Sequence, residues 1–354
     1  MKAMISINDR DEYLLCVRCM TYNQKAYVTD ALDGFCMQQT KFPFYVVVFD
    51  DASTDGEQEM IAVYLDEHFD QSVETGYERW ETEEACYTFA RHKENSNCHF
   101  LVVYLKRNLY KTQRKEELIK EWCVAKYIAL CEGDDYWTDP LKLQKQVGYL
   151  ERHSECCLCC SDARIFESGE YVSWKRYEID CMVPPEDIII GGGLWLQTPT
   201  FLYRRATYYD YPDCCKKCHV GDYPLIIWAA LNGGVHYLSD VTTVYRHKSE
   251  GSWTRRIEAL SARDQIKGWR SEVDMLKGLD EWSKGRYKDA FNQRIRDYLW
   301  YLIEGYRNDS KLLWEEFSNE RWVLSKSQRL KWFEYAYTPW FFSIKRKVRR
   351  KLKI

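Results

Sequence analysis

The stretch Glu132-Gly133-Asp134-Asp135-Tyr136-Trp137 decides how the chain is read. It follows the apolar run Tyr127-Ile128-Ala129-Leu130-Cys131, which reads as a buried strand. A helical pattern comes next, opened by Thr138-Asp139-Pro140 as N-cap and first-turn residues. Carboxylates therefore gather at the C-terminal end of a strand, where a loop turns away, and in open α/β sheets that edge binds ligands. Neighbouring carboxylates repel one another unless a cation joins them, and hard cations such as Mg2+ and Mn2+ take oxygen ligands. The pattern points to a divalent metal holding phosphates. The plainer reading is an acidic surface turn with a helix cap.

Upstream, Tyr13 to Met20 reads as a first strand and Thr21-Tyr22-Asn23-Gln24 as a polar turn; Tyr27, Ala31, Leu32, Phe35 and Cys36 then recur at helical spacing. Phe44-Tyr45-Val46-Val47-Val48-Phe49 is a continuous β-branched and aromatic run, as in a central parallel strand. It ends in Asp50-Asp51-Ala52-Ser53-Thr54-Asp55-Gly56, ahead of a second helix from Glu57 to about Phe69, for which Asp55 reads as the N-cap. Strand–helix–strand–helix with polar clusters at the same strand ends is a nucleotide-binding half of a doubly wound sheet. Between Asp70 and Phe100 the periodicity fades and charge rises, which predicts a partly helical surface insertion. Phe100 to Leu105 resumes the sheet. Lys106-Arg107-Asn108 follows at the ligand side, where a cation can neutralise phosphate or simply be solvated.

Downstream, Leu141 to Arg152 reads as a helix and Cys156 to Phe166 as a strand, followed by a hairpin-like turn at Ser168-Gly169-Glu170. Gly191-Gly192-Gly193 precedes Leu196 to Arg204, Asp222 precedes an apolar helix, and Val244-Tyr245-Arg246-His247 ends the last strand. After Trp253 the pattern is helical and rich in Trp, Tyr and Arg. This divides the chain into a catalytic domain over 1–253 (insertion near 70–100), a helical extension over 254–337 and an aromatic-basic tail over 338–354.

The net charge is −3, yet Ile344 to Ile354 carries seven Lys/Arg and no acid, so the rest is near −10 (−3 minus 7). A mildly acidic body argues against a nucleic-acid binder. Aromatics beside the basic tail suit a lipid headgroup surface. Fifteen cysteines, several of them adjacent, do not make an ordinary disulfide framework. Met1 to Glu12 lacks the apolar core of a signal peptide, so the cysteines read as reduced, buried residues of a cytosolic protein. No apolar run approaches a membrane span. Cys215-Lys216-Lys217-Cys218-His219 spells a haem-attachment pattern that would require export. Cys157/Cys160 with Cys215/Cys218 has local zinc spacing, but Cys156 to Cys160 reads as a strand with sulfurs on alternate faces.

Thr21-Tyr22-Asn23, Asp50 to Gly56 and Glu132 to Trp137, in that order and spacing, resemble the family 2 glycosyltransferases over about Tyr13 to Trp253. The resemblance implies the GT-A fold, an α/β, Rossmann-like mixed sheet flanked by helices, here with a C-terminal helical extension. It implies a nucleotide-diphospho-sugar donor and Mn2+ or Mg2+. By the same resemblance Thr21, Tyr22, Asn23, Asp50 and Asp51 hold the nucleoside, with Asp51 accepting from the base edge, and Asn108 faces the nucleotide. Asp134 stands beside Asp135, the metal ligand, and His247 touches metal or diphosphate. Asp222 is the general base, or else the N-cap ahead of Pro224. The expected activity is inverting, hexosyltransferase-type transfer to a glycan or lipid-linked acceptor in bacterial-type surface-polysaccharide assembly. The expected place is cytoplasmic, peripheral at the inner face of the cell membrane. The rivals are a sugar-1-phosphate nucleotidyltransferase, whose Gly-rich basic loop Thr21 to Gln24 lacks, and a non-catalytic glycan-assembly protein.

Overall fold

In the computed structural model, residues 13–110, 112–208 and 210–337 are described. The tail over 338–354 and the N-terminal stretch Met1 to Glu12 lie outside them. The chain opens with strand β1 (Leu15–Thr21), helix α1 (Val28–Cys36), strand β2 (Phe44–Asp50) and helix α2 (Glu57–His68). Every residue of β2 is buried, as a parallel strand covered on both faces requires. β1 and β2 pair in parallel from Leu15↔Phe44 to Thr21↔Asp50, which sets Thr21 beside Asp50 at the C-terminal edge.

The next segment corrects the sequence expectation. Instead of a partly helical insertion, the chain forms strands β3 (Phe69–Asp70), β4 (Glu78–Glu81) and β5 (Ala85–His92), with one short 3-10 turn at Val73–Thr75. β5 lies antiparallel to β6 (Cys98–Leu105), and β3 and β4 pair with β5. Both faces of β5 are largely covered, so its apolar residues do not alternate cleanly, and the charged, half-exposed β4 hides the hairpin further.

β6 runs parallel to β2. Helix α3 (Gln113–Trp122) leads to β7 (Tyr127–Leu130), which pairs in parallel with β1 on the side away from β2. The parallel strands thus stand β7-β1-β2-β6, and the chain reverses its winding direction between β1 and β7. The crevice outside the carboxyl ends at such a reversal is where open α/β sheets take ligands.

β8 (Tyr136–Trp137), α4 (Lys142–Arg152), β9 (Leu158–Glu167), β10 (Glu170–Ser173), β11 (Cys181–Met182), α5 (Pro185–Gly191), β12 (Leu202–Arg204), α6 (Asp213–Lys216), α7 (Asp222–Asn232) and β13 (Val235–Arg246) follow. Ser168 and Gly169, both left-handed at φ 53° and 88°, turn β9 into β10. The result is the expected mixed sheet, of thirteen strands among the described residues, flanked by helices. After α8 (Trp253–Glu258) come α9 (Ala262–Trp282), α10 (Lys288–Gly305), α11 (Ser310–Phe317) and α12 (Lys326–Tyr337).

Two compact units result. The first holds the sheet and comprises Met1–Pro184, Gly193–Tyr211 and Ile226–Ile257; the second comprises Pro185–Gly192, Pro212–Leu225 and Glu258–Ile354. In the second, Trp269, Leu276 and Leu279 of α9 and Phe291, Leu299 and Ile303 of α10 are buried. An ion pair at 2.9 Å between buried Glu272 and half-buried Arg294 joins these two helices. None of the fifteen cysteines forms a disulfide, and most serve as small core residues.

Candidate functional site

At the switch point the loops after β1 and β2 are laced together. Asp51 N donates to Thr21 O at 3.1 Å, Asn23 N to Ser53 Oγ at 2.9 Å, and Thr54 N to Asn23 Oδ1 at 2.7 Å. Asn23 takes a left-handed φ of 55°, which its residue type tolerates. The expected Asp55 cap is corrected: Gly56 stands at the N-cap of α2 without a side-chain cap bond, and Asp55, one residue earlier, accepts from Glu57 N at 3.1 Å and from Lys25 N at 3.0 Å. Glu57, which the sequence marked only as a helix start, is fully buried at the centre of this lacing. Its carboxyl accepts from Gln24 N at 2.9 Å, Ser53 Oγ at 2.8 Å and the Thr21 hydroxyl. Burial holds Glu57 above the usual carboxylate range.

Asp50 and Asp51 have different surroundings. Asp51 is wholly engaged: Oδ1 accepts from Leu109 N at 2.6 Å, and Oδ2 pairs with Lys115 at 2.8 Å. Asn108 donates to the Asp51 carbonyl at 3.0 Å. Asp50 Oδ1 accepts from Ser53 N at 3.0 Å, while its buried Oδ2 has no partner among the described residues. Burial raises Asp50 above its ordinary value. Tyr22, between Thr21 and Asn23, is half-buried.

The acidic turn enters the same crevice. Gly133 N donates to Met20 O at 3.0 Å, and a Cβ at Gly133 would stand 2.4 Å from Thr21 Oγ1 and 2.7 Å from Gln24 Oε1. Only glycine lets the turn lie this close to β1. The short strand β8 then pairs with β13 through Tyr136↔Val244 and Trp137↔Thr243. That pairing delivers the end of β13 to the turn. Arg246 N donates to Asp135 Oδ1 at 2.8 Å, Arg246 Nη1 to Asp134 O at 2.8 Å, and Ser249 Oγ to Asp134 Oδ2 at 2.5 Å. The Arg246 guanidinium also lies over the Tyr136 ring at 4.5 Å and reaches Asp30.

Asp135 is only 2% exposed. Burial, then the Asp134 charge, push its carboxyl well above the normal range, and burial raises Asp134 too. A cation would reverse both effects. Among the described residues no three His, Cys, Asp or Glu side chains gather as a metal cage. Two adjacent carboxylates nonetheless fit an ion such as Mg2+, which takes one or two protein oxygens and completes its shell with water and phosphate. His247 turns Nδ1 to Glu167 Oε1 at 2.9 Å.

Behind the turn, Trp137 Nε1 donates to Pro199 O at 2.9 Å, and its ring meets Phe35 edge-on at 4.8 Å. Lys142, wholly buried, sets Nζ 4.4 Å from the Trp137 ring centre and donates to Gln146 Oε1 at 2.7 Å. Burial pulls this lysine down to about 7.

The first unit therefore brings together Thr21, Asn23, Asp50, Asp51, Asn108, Asp134 and Asp135, with His247 one residue beyond Arg246. Asp222 belongs to the second unit, as the first residue of α7. Its Oδ1 accepts from Tyr223 N at 2.7 Å; burial raises the nearby Glu272, and the Asp222 charge adds a smaller push in the same direction. Four side chains that brace the candidate site residues escaped the sequence reading: Glu57, Lys115, Arg246 and Ser249. The signals for two of them lay beside residues already singled out, Glu57 next to Gly56 and Arg246 next to His247.

No model of a known protein family matches the chain. Over 242 residues it is 32% identical to uncharacterized proteins of Mycobacterium tuberculosis and Mycobacterium bovis, covering 66% of this chain. The chain spans 59% of the length of these relatives. Among solved structures it is similar to S. aureus TarS 1–349 in complex with UDP-GlcNAc, with a TM-score of 0.57 and 14% identity over 91% of this chain and 89% of that one. A further TarS structure gives 0.58 and 16%, over 91% and 52% respectively. The likeness is one of fold.

Proposed function

We propose that the chain is a metal-dependent, inverting glycosyltransferase of the GT-A, family 2 type. It would move a hexosyl unit from a nucleotide-diphospho-sugar to a hydroxyl of a glycan or lipid-linked acceptor in bacterial-type surface-polysaccharide assembly. The observation that carries the reading is the buried acidic turn Glu132 to Asp135, set against Thr21 at the switch point and held there by Arg246 and Ser249. The fold shared with TarS, which binds UDP-GlcNAc, makes a UDP-sugar the donor class to test first.

In this reading Thr21, Tyr22, Asn23, Asp50 and Asp51 wall the nucleoside, with Asn108 bracing Asp51. The spare Oδ2 of Asp50 offers an acceptor for a donor on the nucleoside. A divalent cation on Asp135, beside Asp134, would supply positive charge against the departing diphosphate. His247 suits a second ligand in the tautomer whose Nδ1–H donates to Glu167, since Nε2 then keeps its lone pair. Asp222 takes the proton of the acceptor hydroxyl. That oxygen bonds to the anomeric carbon as the carbon–diphosphate bond breaks, so one displacement inverts the centre. The buried thiols need form no covalent intermediate.

The inner face of the cell membrane is the proposed location, with the aromatic-basic tail over 338–354 as the contact. The exposed Leu330, Phe333 and Tyr337 of α12, spaced i, i+3 and i+7 just before that tail, support it. Among the described residues no helix is long and apolar enough to cross a membrane. The test of function is Asp222→Asn. UDP-sugar binding should persist while acceptor-dependent release of nucleoside diphosphate falls by about 100-fold or more. Release at the wild-type rate would remove Asp222 from the mechanism.

A further inference from the structure

A second concavity lies in the first unit, away from the acidic turn. The β4–β5 hairpin, the turn after β6 and helix α3 line a cavity of about 760 Å3. That falls within the range of small-molecule sites, roughly 300–1,000 Å3. Part of its wall is aromatic. Trp80 and Tyr87 stack with centroids 4.9 Å apart and planes within 1°, and Trp122 leans against them at 6.1 and 5.5 Å. Tyr87 and Trp122 are buried, while Trp80 stays half-buried on its short strand.

The remaining wall is charged. Lys106 pairs with Glu81 at 2.5 Å and donates to Thr82 O at 2.7 Å. Arg114 grips Glu84 through Nε at 2.9 Å and Nη2 at 2.6 Å. Glu83 and Arg107 are exposed on this wall, with Lys106 as the charged neighbour of Glu83 and Glu84 as that of Arg107. On α3, Arg114 lines the cavity and holds Glu84, whereas the next residue, Lys115, pairs with Asp51.

These features select a ligand class. An aliphatic ligand would leave the charged wall desolvated. A strongly charged ligand meets like charge wherever it sits, because acids and bases interleave. A neutral polyhydroxylated ring satisfies both walls. Its C–H face packs on the aromatic surface, and its hydroxyls donate to carboxylates and accept from Lys and Arg. We propose that this cavity is a carbohydrate-binding subsite for neutral hexose units of a glycan, distinct from the donor site. The sugar site itself stands on the cavity alone, and only its separateness from the donor site rests on the transferase reading.

The test uses the full chain and four probes: lactose, maltose, cellobiose and N,N'-diacetylchitobiose, followed by saturation-transfer NMR and calorimetry. At least one should bind with Kd on the order of 1 mM. Trp80→Ala should weaken that probe about five-fold or more, and Trp80→Phe should restore most of the loss. Should Trp80→Ala fail to fold, the exposed Glu83→Ala must itself weaken binding about three-fold. UDP-sugar affinity should be unchanged in every variant. The proposal is overturned if none of the four probes saturates by about 20 mM. Undiminished binding in the folded variants, or competition between the disaccharide and the UDP-sugar, would overturn it equally.

Discussion

Lys142 gives the most quantitative check on how the acidic turn is supported. It lies wholly buried against Trp137, with Gln146 as its hydrogen-bond acceptor. Its folded value is about 7, against 10.5 for the free side chain. Between those two values the unfolded chain holds a proton that the folded chain has lost. Unfolding then takes up a proton, so raising the pH stabilises the fold by about 1.4 kcal/mol per unit. Integrated, burying this lysine costs about 4 kcal/mol at pH 7 and about 2 kcal/mol at pH 9. Lys142→Met removes that cost but strands the Gln146 oxygen, a loss of about 1–3 kcal/mol. The variant should therefore be more stable than wild type by roughly 1–3 kcal/mol at pH 7, an advantage that shrinks by about 2.3 kcal/mol at pH 9. Urea unfolding of both proteins under reducing conditions at the two pH values reads this difference directly. Exposed unfolded thiols titrate alike in both and cancel. A wild-type-to-variant difference that moves by less than about 0.5 kcal/mol would refute the buried, deprotonating lysine.

Gly133→Ala would place a methyl 2.4 Å from Thr21 Oγ1, an overpacking worth about 1–3 kcal/mol. Thermal unfolding should show the loss, and stabilisation by a UDP-sugar should disappear; a variant that still gains it would mean that the turn need not touch β1. Lys115→Met leaves the Asp51 carboxylate, 2% exposed, without its cation at 2.8 Å. Breaking a buried pair in this way costs about 3–5 kcal/mol, and a loss under about 1 kcal/mol by urea titration would show Asp51 satisfied by the Leu109 amide alone.

The sheet centre was legible because β1, β2 and β7 are apolar runs with polar residues at one end, and their pairing follows from that pattern. The acidic turn was legible for the same reason. Its partners were not. Arg246 and Ser249 lie 111 and 115 residues beyond the carboxylates they bind, and they arrive through a two-residue strand that no periodicity reveals. Lys142 and Gln146 escaped because a binary pattern assigns polar side chains to solvent, whereas α4 buries both beside Leu143 and Val147. The β4–β5 hairpin was read as partly helical because β5 is covered on both faces and β4 is charged, so neither alternates. Glu57 reads in the sequence only as the start of a helix, and the approach of the Thr21 loop makes it a buried hub.

The account's central claim is that the adjacent carboxylates at the switch point hold a nucleotide diphosphate through a cation. Calorimetric titration of a UDP-sugar into wild type and Asp135→Ala, each with Mn2+ and with chelator, tests it without any acceptor. The account predicts that Mn2+ tightens wild-type binding about ten-fold or more, and that Asp135→Ala erases the increment. Equal affinity with and without the cation in wild type, or a full increment retained in the variant, would contradict it.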